Sequence, residues 1–552
     1  MSASKVYGID LGTTYSCIAH VDEHGKPVVI QNAEGSATTP SVVFFESENN
    51  IVVGQAAKEV ASIHADQCVS TVKRAMGDAT WVQEFYGQSY RPQDISSFIL
   101  RKVVKDAEAI TGDAIRDVVI TCPAYFGINE KEATKQAGEL AGLNVKYVIP
   151  EPTAAALAYG MEQEEDQVVL VYDLGGGTFD VTVIQVQGNE INVICTGGDH
   201  ELGGKDWDDA IVAHLTQCFE DQTGTSADAL LEDLEIYQEL LNDAEQCKKS
   251  LSTRENITVP VRFQGERVKV EFSREKFDEL TAPLLHRTLE MTRQVLEKAR
   301  EKGFDTIDKM LLVGGSTYMP QIQAAVGQEF PMEVRQYDPN QAVAKGAAIF
   351  GYKCFLDEEI KIHLAEKTGQ AVEDVTVSEA EQALVDEAQE EVARQHGMPI
   401  MRLKGLVDKQ ITNVTSKSFG MIAYNSDDRE VVFNLIKVDD PVPKSVTSPF
   451  YTLSEGQTGV DLECRENTLT TDQVAVEDCE AVGETQLSFG KALPKGSPIE
   501  VTFDLSADGL LKVHGRDVTT GNEIDAEFRT DSIMSREQVE SSKSRNLSLD
   551  VT

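Results

Sequence analysis

An α/β unit over about the first 353 residues, followed by an antiparallel β-sandwich, is the architecture this sequence predicts, and three observations carry it. Up to about residue 353, strand-like apolar runs alternate with helix-period runs, the pattern of sheets covered by helices. From about residue 411 to 530 the runs become short and period-two, separated by Asp, Gly, Pro and Ser clusters, as antiparallel strands joined by turns require. Between these regions the composition breaks: residues 355–397 hold 12 acids against 3 lysines and arginines.

Length and composition bound the answer. A chain of 552 residues is too long for one core and suggests roughly three or four domains. With 41% apolar and 26% charged residues the composition is that of an ordinary globular protein, and no apolar run is long enough for a membrane helix. The opening MSASKVYGIDLGTT enters a strand with no basic or apolar leader, and the nine cysteines are scattered without a C-x-x-C pair. Reduced thiols and a cytoplasmic location are therefore expected, with no zinc or disulfide framework. The balance of 50 basic and 92 acidic residues gives −42, a field that repels nucleic acid and anionic membranes, so neither is an expected partner.

The elements follow in order. VYGIDLGTTYSCIAHV (6–21) and VVLVYDLGGGTFDVTVIQV (168–186) share one plan: apolar strand, Asp-Leu-Gly, a Gly/Thr turn, apolar strand. That repeat predicts a duplicated half-domain with a cleft between the halves. VVITCP (118–123) and MLLVGG (310–315) are further strands, and EKEATKQAGELAGL (130–143) is a helix. In the acidic stretch, Val377-Ser378-x-x-Glu381 reads as a capping box, Ala380, Ala383, Leu384, Ala388 and Val392 recur at helical spacing, and Gly397 and Pro399 end the run. VVFNLIKV (431–438) and IEVTFDL (499–505) are sandwich strands, the latter turning at Ala507-Asp508-Gly509. From Ser535 a polar helix begins and fades.

The repeated turns carry the chemistry. A tight Gly/Ser/Thr turn between strands points several backbone N–H groups into one hollow that suits phosphate oxygens. Gly12-Thr13-Thr14 and Gly175-Gly176-Gly177-Thr178 are such turns, each preceded by an aspartate at a strand end, Asp10 and Asp173. Two carboxylates facing one polyphosphate suit Mg²⁺, which keeps waters and takes few protein oxygens. A lone D-L-G-T turn is more often an ordinary hairpin; two in one chain argue for a shared ligand. No Walker or G-x-G-x-x-G motif occurs. A third turn, Gly314-Gly315-Ser316 after MLLV, is the natural place for the nucleoside.

GIDLGTTYS (8–16), EPTAAALAYG (151–160), DLGGGTFDVTV (173–183), LGGKDWD (202–208) and VGGST (313–317) together resemble the DnaK-type heat-shock chaperones, the heat shock protein 70 family, in a divergent, bacterial-type form. The likeness is specific over 1–353 and fainter over the sandwich, where NVTSKSFGM (413–421) and IEVTFDLSADGLLKVHGRD (499–517) carry it. It implies an actin-like two-lobed ATPase domain (1–354), an acidic helical insertion (355–404), a linker (405–412), a peptide-binding sandwich (413–534) and a helical stub (535–552) with little or no lid. The implied activity is ATP hydrolysis that regulates the binding of unfolded or extended peptides. Asp10 and Asp173 would hold hydrated Mg²⁺, with K⁺ as a further ion, and Thr13, Thr14 and Tyr15 would line the phosphates with Gly12, Gly175, Gly176, Gly177, Gly203 and Gly204. Lys73 would reach the γ-phosphate and the attacking water, Glu151 would orient that water or act as its base, and Thr178 would contact the γ-phosphate. Glu245, Lys248, Lys249, Ser252, Gly314, Gly315, Ser316, Tyr318 and Asn340 would surround the nucleoside. Met421, Tyr424, Phe450, Leu453, Val460 and Leu462 would line the peptide groove.

The chain also departs from the family. Lys249 and Tyr318 stand where two arginines usually sandwich adenine, and Asn340 replaces an aspartate, so nucleotide affinity below the family norm is expected. The linker KQITN (409–413) keeps only Ile411 as an apolar residue, and losing buried leucines at ~1.5–3 kcal/mol each predicts weak docking. Tyr147, Pro150 and Asn413 occupy positions a J-domain co-chaperone usually reads, and the compact stretch 224–272 leaves little room for the usual exchange factor, so neither partner is expected. Two rival readings remain: a small-molecule, sugar-type kinase of the same superfamily, and a filament-forming actin relative. Neither needs a sandwich.

Overall fold

A computed structural model describes residues 5–160, 165–377, 380–506, 509, 511–527 and 534–552. Its first 340 residues form two lobes built on one topology. In the first lobe the sheet runs Asn144–Pro150, Asp117–Cys122, Val6–Asp10, Tyr15–Val21, Pro27–Ile30; in the second, Glu333–Gln336, Lys309–Val313, Gln167–Leu174, Phe179–Gln187, Glu190–Asp199. Each holds an antiparallel hairpin of the repeated motif with a parallel strand beside it, Asp117–Cys122 in one and Lys309–Val313 in the other. The apolar runs are near-continuous because both sheet faces are covered.

Two helices pack between the lobes. Glu151–Gly160 is buried along its whole length, and Ala342–Thr368 lies against it. The alanine-rich sequence of both permits this: a Cβ on Gly346 would fall 1.7 Å from the Ala154 carbonyl oxygen, and one on Gly8 would fall 2.1 Å from the Ala348 nitrogen. Backbone thus meets backbone at the centre of the molecule.

The acidic stretch is not separated from the lobe. Helix Ala342–Thr368 runs unbroken through position 355, and Leu356, Ile360 and Leu364 on its second half join Val385, Ala388, Val392, Leu403 and Leu406 in the same core as the strands above. Acids occupy the solvent face, and Arg402 ties the last helix, Ile400–Val407, to the Gly25 carbonyl at 2.7 Å. The helix Gln382–Gln395 starts after Glu381 without a side-chain cap; Ser378 of the expected capping box, like Ala507 and Asp508 of the expected hairpin turn, lies outside the described residues.

The linker docks despite its lost leucines. Gln410–Val414 adds as a parallel strand to the edge Glu190–Asp199, pairing Gln410, Ile411 and Thr412 with Glu190, Ile191 and Asn192. Main-chain hydrogen bonds, which are indifferent to side chain, hold it, and Ile411 and Val414 pack on the core.

Two antiparallel sheets follow: Gln473–Val474, Glu430–Ile436, Ser418–Tyr424, Gln457–Asn467, Glu480–Leu493, and Lys444–Tyr451, Pro498–Leu505, Leu511–Asp517, Glu523–Glu527. Alternate residues such as Phe419, Leu487, Phe489, Val501, Phe503 and Val513 fill the space between them. This sandwich sits against both lobes. Ile128 of the first lobe belongs to the sandwich core, and the Asp439 carboxylate accepts the Thr196 N–H of the second at 3.1 Å.

The segment expected to fade does not. Ser535 caps a helix, Arg536–Ser548, through a reciprocal capping box with Gln538, and the chain then adds a strand, Asp550–Val551, to the first lobe.

Candidate functional site

The two hairpin turns face each other across a cleft of about 690 Å³, a size suited to a nucleotide. Every nucleotide and metal residue expected from sequence lines this cleft except Gly177 and Gly203. Those two do something else. A Cβ on Gly203 would lie 2.6 Å from the Gly177 backbone, so the pair lets the phosphate turn rest on the start of helix Gly204–Thr223. The turns themselves touch: a Cβ on Gly176 would meet the Thr14 hydroxyl at 1.9 Å, so substitution there closes the phosphate space.

At the closed end lies a group of carboxylates, three of them buried and Asp10 half-buried at its edge. Asp10 and Asp173 end equivalent strands, Glu151 starts the central helix, and Asp180 faces Asp173 across the second hairpin. One cation, Lys73, 4% exposed, forms an ion pair with Glu151. Burial first, then the Glu151 charge, pushes Asp10 up to about 7 against the pull of Lys73 and a 3.4 Å hydrogen bond from Thr121. Asp180 is pushed to about 8 by burial and Glu151, although Lys73 and the Ala124 and Tyr125 amides oppose this. Asp173 is driven well above the carboxylate range by burial and by Glu151, Asp180 and Asp10. Lys73 resists the opposing effect of burial because Glu151 and Asp10 hold its charge.

Four carboxylates against one ammonium, with Asp180 Oδ1 buried and unpartnered, make a pocket that accepts more positive charge. Among the described residues no three acidic, His or Cys side chains converge closely enough to ligate an ion alone. The donor set therefore fits a hydrated Mg²⁺ whose remaining ligands are water and phosphate oxygen.

The open end is built from Tyr15, Glu245, Lys58 and Lys249. Tyr15 donates to Glu245 at 2.8 Å, Lys58 pairs with the same carboxylate from the opposite lobe, and Lys249 reaches Glu245 and the Tyr15 hydroxyl at 2.8 and 2.9 Å. Although burial opposes it, the two lysines hold Glu245 down at about 2. Lys249 is thus engaged in an ion pair rather than held free to stack on a base, and Tyr318 stands at the rim, 45% exposed. Lys248 binds Asp208 and the Gly204 carbonyl, both at 2.7 Å, and Ser316 donates to the Gly175 carbonyl at 2.7 Å, joining the third turn to the second.

Sequence reasoning missed Asp180, Lys58, Asp208 and Arg74. Asp180 was legible: it lies within the quoted DLGGGTFD, seven residues after Asp173, just as Cys17 lies seven after Asp10, and the register pairs Asp173 with Asp180 and Asp10 with Cys17. Arg74 donates to the Gly177 carbonyl at 2.9 Å and pairs with Asp206 at 2.6 Å, bracing the phosphate turn from the first lobe.

A family model described as Hsp70 protein matches residues 6–360 and 365–549. The chain belongs to the Hsp70 family. That membership brings an actin-like ATPase fold with a β-sandwich after it, and ATP-dependent chaperone activity as the family's common function. No helix among the described residues is long and apolar enough to cross a membrane.

The expected peptide groove needs correction at two positions. Met421 and Leu462 are 3% and 0% exposed and form part of the sandwich core, because their strand positions face the opposite sheet. Tyr424 and Leu453 are exposed, and Phe450 and Val460 are half-buried. Of the residues expected to disfavour a J-domain partner, Tyr147 packs edge-on against Phe350 and Asn413 accepts the Thr153 hydroxyl at 2.8 Å.

Proposed function

We propose that the chain hydrolyses Mg²⁺-ATP in the cleft and uses the nucleotide state to govern binding of extended apolar peptides by the sandwich. One observation carries the reading: two equivalent Asp-Leu-Gly hairpins, one from each lobe, face a single cavity closed by a Lys73–Glu151 pair. Phosphoryl transfer to water needs chiefly positioning and charge neutralisation. Lys73 supplies fixed positive charge where a γ-phosphate would sit, and Thr13, Thr14, Gly175 and Gly176 line the path of the phosphates. Glu151, oriented by Lys73, accepts a hydrogen bond from the attacking water. Bound Mg²⁺, held through water by Asp10 and Asp173, supplies neutralisation of phosphate charge; Asp180 suits that ion's hydration shell or a companion K⁺.

The linker strand supports coupling, because it pairs on one side with the second lobe's edge Glu190–Asp199 and on the other with Pro441–Val442, the short strand that leads directly into Lys444–Tyr451 of the sandwich. Exposed Tyr424 and Leu453 with half-buried Phe450 and Val460 are the residues left for a peptide. A sugar-type kinase has no use for this sandwich, and free phosphate rather than a phosphorylated small molecule is the expected product. The test is turnover of labelled ATP by the wild type and Lys73→Ala, with and without an extended apolar peptide. Phosphate release that Lys73→Ala abolishes and peptide changes supports the reading. Release unaffected by the substitution, or label transferred to a sugar, overturns it.

A further inference from the structure

The richest contact outside the cleft is made by the segment that sequence reading expected to be idle. Asp94, at the start of helix Pro92–Thr111, is 1% exposed, and its Oδ1 accepts Arg545 at 2.8 Å and the Asn546 amide at 2.9 Å. Asn546 is fully buried and also donates to Ser97 at 3.1 Å, while the Arg545 guanidinium lies 4.6 Å over the Tyr90 ring. One helical turn further on, Arg101 donates to the carbonyls of Asn546 and Leu549, the latter at 2.9 Å, and Lys105 donates to that of Val551 at 2.7 Å. The chain then lies parallel to Asn50–Val53. Asp550 N–H donates to Asn49 at 3.0 Å, Thr552 N–H to Ile51 at 3.0 Å, and Val53 N–H to Thr552 at 2.9 Å, with Leu549 and Val551 buried in the lobe core.

We propose that this face of the first lobe is a sequence-specific peptide site, separate from the sandwich, whose resident ligand is the chain's own segment Arg545–Thr552. The ligand class is a segment whose Arg-Asn sits in a closing helical turn and whose apolar residues, three and five positions after the Asn, lie on extended chain. Three kinds of recognition are superposed. The buried Asp94 carboxylate reads Arg-Asn, two side-chain cations read backbone carbonyls, and a sheet edge reads main chain by strand addition. An edge strand and a buried carboxylate left bare are both costly, so the lobe favours an occupant. The segment is the end of the helix Arg536–Ser548 and the strand after it, and it follows the sandwich in sequence, so its docking straps the sandwich side of the chain to the ATPase lobe. Joined in one chain, it meets the site at an effective concentration near the millimolar range and excludes the same sequence offered in trans.

The test uses the full chain and a fluorescent peptide of sequence SRNLSLDVT, that of residues 544–552. Arg545→Ala/Asn546→Ala releases the resident segment, and this variant is expected to bind the peptide at least ~10-fold more tightly than the wild type does. Adding Asp94→Asn should remove that gain, as should replacing the peptide's Arg and Asn by Ala. A second variant, Asp550→Pro, leaves the lobe sequence intact and deletes one ladder donor; faster hydrogen exchange at the Val53 amide is expected. Equal peptide binding by wild type and double variant, binding indifferent to Asp94 and to the peptide's Arg-Asn, or unchanged Val53 exchange in Asp550→Pro would each overturn the proposal.

Discussion

At the residue scale, burial without full compensation sets the chemistry. Lys73 is the cation paired with Glu151 at the closed end of the cleft, so Lys73→Ala should lower ATP turnover by about 100-fold or more, as losing a positioned charge does, while nucleotide titration still shows binding. A second buried acid lies away from the cleft, where the sandwich meets the first lobe. Glu466 is 1% exposed, no side chain donates a hydrogen bond to it among the described residues, the Ile128 amide only partly offsets its burial, and a Cβ on Gly127 would fall 2.5 Å from Oε1 and 3.1 Å from Glu130 Oε2. Burial pushes Glu466 up to about 7; Lys417, 3.8 Å away, opposes this, and Glu130 and Glu480 add to it. Glu130 is likewise raised, chiefly by burial. The sign follows: docked, Glu466 holds a proton that it gives up when exposed, so docking is strongest in acid and weakens as pH rises from its ordinary value toward about 7. Interdomain energy transfer between dyes on lobe and sandwich should therefore fall as pH rises from about 4.5 to about 7, and Glu466→Gln should flatten the profile. A profile that is flat in the wild type would refute this.

Elements were legible where periodicity was strong and illegible where tertiary contact decided. The repeated hairpins, the helix Ile128–Leu140 expected at 130–143, and the sandwich strands were all readable, because their apolar period is set by the face each buries. The acidic stretch was readable as helical but not as core, since counting charges says nothing about the opposite face of a helix. Leu403 there is fully buried, so Leu403→Ala should cost about 2–5 kcal/mol in a thermal or denaturant melt; a solvated spacer would lose almost nothing. The linker misled for the converse reason: strand addition is written in main-chain geometry, which composition does not reveal. Thr412→Pro should loosen that strand and raise hydrogen exchange along Glu190–Asn192, whereas unchanged exchange would show that the pairing contributes little. In the site, Asp10 and Asp173 stood out through their motif, whereas Lys58 meets Glu245 only through folding, from a position carrying no local signal, and Asp208, although inside the quoted LGGKDWD, gains its role only by pairing with Lys248.

For the whole molecule, two lobes of common topology close on one cavity, and the sandwich is held to them by the linker strand, by the Glu466 junction and by segment 545–552. Such a body responds to whatever draws the lobes together. Its central claim is that both hairpins grip one metal-bound triphosphate, and the most direct measurement is ATP affinity by calorimetry with and without Mg²⁺, for the wild type, Asp10→Asn and Asp173→Asn. The account predicts that Mg²⁺ tightens binding by about 10-fold or more in the wild type, and that either single substitution removes most of that gain. Wild-type affinity indifferent to Mg²⁺, or a metal effect that survives in either variant, would contradict it.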